Sequence, residues 1–281
     1  MSLLLHVSDS HLYDDPAGEL KGVRPFDSYA AVLKAAYEVY PNPDVVVLGG
    51  DMAQDEAEPT YRRVASMLPW CAPVMISPGN HANLPALRSA LIPALKDCSS
   101  YSDHVALGNW QVITLNSHRA GSISGFLAKD ELKRLETILQ ATSEKFTLIA
   151  LHHHPHDIGS RWLDDIGLDN SEELWDLIAG YPQVKVLLSG HIHQAFDTFH
   201  EGVRVLGSPS TCIQFKRRSD DFGMDDISPG YRGIQLWDID LIKTSVERGK
   251  GFIPPDLKNN APYSIQTFIN RFTLMMFVSR I

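Results

Sequence analysis

Short apolar runs punctuate this chain at regular intervals, and each stops at a small cluster of polar residues. Leu3–Val7 ends at Ser8-Asp9, Asp44–Leu48 at Gly49-Gly50-Asp51, and Val74–Ile76 at Ser77-Pro78-Gly79-Asn80-His81. Further on, Val112–Leu115 is another such run. Thr147–Leu151 ends at three histidines, and Val184–Leu188 ends at Ser189-Gly190-His191. Runs of this length, rich in Val and Ile and bounded by Gly, Pro, Asp and Asn, predict buried strands. Between them lie stretches with apolar residues at helical spacing. Phe26–Tyr40 carries Tyr29, Val32, Leu33 and Ala36, and Pro59–Leu68, Leu127–Leu139 and Glu172–Ile178 are similar. Strands alternating with helices predict layered α/β structure, and the strand-like segments from His193 to Leu236 predict antiparallel additions.

Five of the strand ends carry chemistry: Ser-Asp-Ser-His at 8–11, Gly-Gly-Asp at 49–51, Pro-Gly-Asn-His at 78–81, His-His-His-Pro at 152–155 and Ser-Gly-His-Ile-His at 189–193. Ligands of open α/β sheets bind outside the carboxyl ends of the strands. Asp9, His11, Asp51, Asn80, His81, His152, His191 and His193 are therefore expected in one crevice. Imidazoles mixed with carboxylates favour Mn, Fe, Co or Zn over Mg or Ca. Seven ligand-type residues among these eight exceed one tetrahedral shell and suit two ions sharing a carboxylate. Two divalent ions against Asp9 and Asp51 leave a site of about +2, which attracts an anion. A two-metal centre also clamps in-line displacement at phosphorus.

Composition narrows the setting. With 281 residues, the chain can form one domain with a large core, and its formal net charge of −9 excludes a basic nucleic-acid footprint. The N-terminus lacks a secretory pattern and no apolar run reaches membrane-spanning length, so a cytoplasmic protein without membrane attachment is expected. Cys71, Cys98 and Cys212 are odd in number and far apart, and are expected as reduced thiols.

The five motifs, in this order, resemble the calcineurin-like binuclear metallophosphoesterases. Four further stretches are similar to the bacterial 3′,5′-cyclic-AMP phosphodiesterases of the CpdA type: LHHHP at 151–155, SRWLD at 160–164, GHIHQ at 190–194 and SPSTCIQFK at 208–216. The resemblance covers residues 1–257 and implies a single-domain αββα sandwich, followed by a divergent extension at 258–281. It implies one metal on Asp9, His11, Asp51 and His193, and a second on Asp51, Asn80, His152 and His191. The cofactors would be two divalent or mixed-valence transition metal ions (Fe, Mn, Co or Zn). A hydroxide bridging them would attack phosphorus, releasing 5′-AMP from cyclic AMP. Asp51, Asn80 and His81 would be catalytic, and Asn80, His81 and His193 would contact the cyclic nucleotide. Two departures stand out: Ala82 replaces the usual Asp after GNH, and Asn116 replaces Asp in an LDS-like segment.

Among the remaining candidates, His152 is the first side chain past its strand and the expected ligand, with His153 and His154 supporting it. His156 is expected at the surface or near substrate, and His6 in the core. Asp14, Asp15 and Asp55 are expected to cap turns. The acidic stretch 220–226 is expected as a solvated loop, with a lid or oligomer contact as the other option. Asn116, His118 and Ser208–Thr211 could touch the nucleotide. The apolar C-terminus leaves open a homodimer contact or an unstructured extension. The same metals could serve a glycerophosphodiester, a 2′,3′-cyclic nucleotide or a phosphomonoester, and a non-catalytic scaffold of this fold is the remaining alternative.

Overall fold

The structure is a computed structural model that describes residues 1–249. The expected extension at 258–281, and any subunit contact through it, lie outside the described residues. The elements run β1 (Ser2–Val7), α1 (Pro25–Val39), β2 (Val45–Leu48), α2 (Glu58–Met67), β3 (Val74–Ile76), α3 (Leu84–Ala86), β4 (His104–Leu107) and β5 (Trp110–Thr114). They continue with α4 (Lys129–Ala141), β6 (Phe146–Leu151), α5 (Arg161–Asp164), α6 (Ser171–Ala179), β7 (Val184–Ser189), β8 (Phe196–His200) and β9 (Val203–Gly207). The last are β10 (Gln214–Phe215), β11 (Met224–Asp225), β12 (Gly230–Trp237) and β13 (Leu241–Arg248).

Two sheets face each other. One has the order β13-β12-β1-β2-β3, the other β4-β5-β6-β7-β9-β8. β1, β2 and β3 run parallel, as do β5, β6, β7 and β9, so their carboxyl ends gather on one rim. Three apolar layers hold the fold. Leu4, Val45, Val47 and Met75 meet Trp110, Val112, Leu148, Ala150, Val186 and Leu188 between the sheets. Outside the first sheet, Tyr29, Val32, Leu33 and Ala36 of α1 and Tyr61 and Val64 of α2 pack on Leu5, Val7, Val46 and Leu48. Outside the second, Leu132, Leu135 and Leu139 of α4 and Leu174, Trp175 and Ile178 of α6 pack on Ile113, Ile149, Leu151 and Leu187. Both faces of the central strands are covered, which explains why VVVL of β2 is apolar throughout and buried throughout. The architecture is the expected αββα sandwich.

Two local readings are corrected and one segment is added. Cys71 and Cys98 form a disulfide with Cα atoms 5.2 Å apart, and only Cys212 is free. Their 27-residue separation hides this proximity, because β3 leaves the first cysteine and the α3 region returns to it. The acidic stretch is more than a solvated loop: β11 pairs with β10, Met224 is buried, and Phe222 packs on Trp162 and Phe215. Its aromatic and methionine side chains outweigh the flanking charges. The helical segment 84–94 was not expected; its Leu87, Ala90 and Leu91 are buried against α2. No helix among the described residues is long and apolar enough to cross a membrane.

Candidate metal centre

The five strand ends meet at the shared rim, and their backbones are unusual. Asp9, His11, Asp51, His191 and His193 all have positive φ, from 40° at Asp51 to 63° at His191. A non-glycine residue in this region costs about 1–3 kcal/mol and persists only where surroundings enforce it. Here they do. His11 N–H donates to Asp51 O at 2.9 Å, Asp9 N–H to Gly50 O at 3.2 Å, and Ser210 Oγ–H to Asp9 O at 2.7 Å. Gly50 has φ +97°, and a Cβ there would lie 2.1 Å from His152 Nδ1. One on Gly79 would lie 2.2 Å from Asp51 Oδ1. Glycine lets both loops close on the site side chains.

The imidazoles follow one rule: one nitrogen is tied to a carbonyl and the other faces the crevice. His11 Nδ1–H donates to Gln54 Oε1 at 2.7 Å, and His193 Nδ1–H to Ile213 O at 2.9 Å. Their Nε2 atoms then face each other at 3.3 Å. His152 Nδ1–H donates to Gly49 O at 2.7 Å and His191 Nε2–H to Ile166 O at 3.1 Å, leaving His152 Nε2 3.2 Å from His191 Nδ1. Tying the distal nitrogen in this way fixes the tautomer and aims a lone pair, as at metal-binding histidines.

Two carboxylates stand among these nitrogens. Asp9 Oδ1 is 3.3 Å from His193 Nε2, and Ser8 Oγ–H donates to Asp9 Oδ2. Asp51 Oδ2 is 3.4 Å from His152 Nε2, and its Oδ1 accepts the N–H of His81 at 2.8 Å. Ligand atoms of Asp9, His11 and His193 lie within 4.8 Å of one another, as do those of Asp9, Asp51 and His152, and those of His11, Asp51 and His81. Asp51 thus sits between the two histidine pairs. Asn80 Oδ1 is buried and has no hydrogen-bond partner among the described residues, a cost that a bound cation would remove. Nitrogen and oxygen donors in this mix fit divalent first-row ions.

Burial alone would raise the Asp51 carboxyl, but His152, His81 and His11 pull it well below its ordinary range. Asp9 behaves alike, burial being outweighed by His193 and His152. Burial lowers His152, yet the charges and hydrogen bonding of Asp51 and Asp9 more than offset it and hold it at about 9. His11 is pushed by burial down to about 3, and His191 falls well below its usual value through burial and neighbouring His153 and His152.

The neighbouring residues separate by contact. His153 lies within ligand reach of His152 and His191, but both its nitrogens are occupied, by Ser117 Oγ at 2.8 Å and Ile123 O at 3.1 Å. His154 stacks on His191 with ring centres 5.8 Å apart. His156, partly exposed, lies against His200 at 4.6 Å. His6 is a core residue bonded to Ser208. Asp15 and Asp55 accept nearby backbone N–H groups as turn caps, and Asp14 offers its own N–H to Asp55. Ser208, Ser210 and Thr211 are buried, and Ser210 and Thr211 bind the Ser8–Asp9 backbone. Asn116 Oδ1 accepts His118 N–H at 3.1 Å, a bond that Asp could equally make. Sequence reasoning missed Gln54 and the carbonyls of Gly49, Ile166 and Ile213. Only Gln54, three residues past Asp51, had a side-chain signal to read. It missed as well the aromatic cover of Phe215, stacked on His193 at 4.1 Å.

Comparison with known proteins gives the family. A family model described as calcineurin-like phosphoesterase matches residues 3–195. The chain is 38% identical over 247 residues to a 3′,5′-cyclic adenosine monophosphate phosphodiesterase CpdA of Pseudomonas aeruginosa, covering 88% of this chain and 89% of that one. It is 39% identical over 247 residues to the protein of the same name from Escherichia coli K12, covering 87% and 89%. A dimetal phosphatase from Danio rerio shares the fold, with a TM-score of 0.59 at 15% identity over 91% of this chain and 99% of that one. The chain belongs to the calcineurin-like phosphoesterase family.

Proposed function

We propose that this protein is a phosphodiesterase that hydrolyses 3′,5′-cyclic AMP to 5′-AMP with two divalent transition metal ions. Relatives bearing that activity in their names align over nearly nine-tenths of both chains. The observation that carries the reading is the double set of facing imidazole nitrogens, with Asp51 between them. Asp9, His11 and His193 with Asp51 would hold one ion, and Asn80, His152 and His191 with Asp51 the other. Bound there, the ions supply positive charge for the phosphate and make water nucleophilic at neutral pH. His81, whose ring lies 5.3 Å from that of His11, would steady the phosphate or protonate the leaving 3′-oxygen. Asn80 and His193 would contact the same phosphate.

A substrate panel tests this reading. Enzyme loaded in turn with Mn, Fe, Co and Zn should hydrolyse 3′,5′-cyclic AMP faster than 2′,3′-cyclic AMP, glycerophosphodiesters and phosphomonoesters. Turnover of an aryl phosphodiester with no turnover of 3′,5′-cyclic AMP would reject the substrate and keep the metal centre.

A further inference from the structure

Asn80 and His81 are the two central residues of a tight turn, closed by Ala82 N–H donating to Gly79 O at 3.2 Å. The turn lies between strand and helix and is held by hydrogen bonds from both sides. On the side of the first sheet, Asp51 Oδ1 accepts His81 N–H, and Tyr61 accepts Asn83 N–H at 3.0 Å and donates to His81 O at 3.4 Å. On the side of the second sheet, His118 holds it. Its Nδ1 lies 2.9 Å from Gly79 O, and since a carbonyl can only accept, Nδ1 carries the proton. The bond reaches the same carbonyl that closes the turn.

His118 is itself fixed from α4. Arg134 pairs with Glu131 at 2.8 Å, Glu131 Oε1 accepts Asn116 N–H at 2.8 Å, and Asn116 Oδ1 accepts His118 N–H. A continuous series of bonds thus runs from the helix outside the second sheet to the turn leaving the first. We propose that His118 is a positioning residue. Its Nδ1–H holds the Gly79 peptide, and thereby sets where the Asn80 amide and the His81 ring stand. The inference rests on the two-ion reading above, since Asn80 and His81 matter there as ligand and as phosphate contact.

Three variants test it in the full chain. H118N keeps a donor at the position of Nδ1, facing Gly79 O, whereas H118A and H118F remove it, the latter while keeping bulk. Calorimetric titration of metal-depleted protein with Mn²⁺ should show H118A and H118F weakening one of two ions by about 10–100-fold, the usual cost of losing an outer partner. H118N should lose less than the roughly 10-fold lower end of that range. With cyclic AMP, H118A and H118F should lower kcat more than they raise KM. If the wild type does not turn over cyclic AMP, the substrate reading alone fails, and the Mn²⁺ titration still judges His118. Wild-type Mn²⁺ binding in H118F would overturn the proposal. So would a loss in H118N as large as in H118F, or a fall in melting temperature that accounts for the whole effect.

Discussion

His152 Nε2 lies 3.2 Å from His191 Nδ1, while the opposite nitrogen of each ring donates to a carbonyl. Two lone pairs so close together repel unless something positive lies between or beside them. In the metal-free protein that role falls to a proton on His152, whose pKa stands at about 9 beside Asp51. A divalent ion must displace this proton. Metal uptake at pH 7 should therefore release about one proton from this histidine, and the apparent affinity should fall about tenfold per pH unit below 9. Calorimetry in buffers of different ionisation enthalpy measures the proton directly. Uptake with no proton released would contradict the assignment of His152.

Gln54 orients His11 through a 2.7 Å bond to Nδ1, leaving Nε2 to face His193. Q54A should lower affinity for one ion by about 10–100-fold and leave the fold intact. D51N, which removes the charge standing between both histidine pairs, should exceed that loss and affect both ions. Equilibrium dialysis of each variant with Mn²⁺ separates the two outcomes.

G50A should be more damaging than most single-methyl changes. Its Cβ would sit 2.1 Å from His152 Nδ1, at a φ of +97° that alanine rarely adopts. We expect weakened binding of both ions and a lower melting temperature, since Gly50 O also anchors Asp9. Unchanged metal content in G50A would show that the loop can shift at little cost.

Acid should unfold the metal-free protein early. His6, His11 and His154 are buried neutral, each with its pKa depressed by desolvation to about 3. Between the ordinary value near 6.5 and about 3, the unfolded chain binds protons that the folded chain refuses. Stability is thus retained above about pH 6.5 and lost as pH falls, by about 1.4 kcal/mol per pH unit for each such histidine. His152 has the opposite sign: its raised pKa contributes stability below 6.5 that disappears as pH rises through about 9. Denaturant melts from pH 4 to 9 should show both slopes.

The Cys71–Cys98 disulfide closes a loop that contains β3, Asn80 and His81. On loop length alone, with a separation of 27 residues, its removal should cost about 3.5 kcal/mol. Urea melts with and without reductant measure the difference, and identical midpoints would contradict it.

Much of the candidate site was legible because its side chains sit where strands end. Asp9, Asp51, Asn80, His152 and His191 each follow a short apolar run, and parallel strands carry those ends to one rim. The partners that aim the imidazoles were not legible, since Gly49, Ile166 and Ile213 contribute only carbonyls, which every residue has. The disulfide was hidden because its proximity arises from how β3 and the 84–94 segment pack, which no spacing encodes. Phe222 was obscured by four aspartates around it, although burial against Trp162 and Phe215 decides its place.

The most direct test of the central claim is hydrolysis of 3′,5′-cyclic AMP by the two-ion enzyme in ¹⁸O-labelled water, with the product weighed by mass spectrometry. Attack of water on phosphorus with loss of the 3′-oxygen predicts 5′-AMP carrying one ¹⁸O on its phosphate. Formation of 3′-AMP, or no 5′-AMP with any of Mn, Fe, Co or Zn, would contradict it.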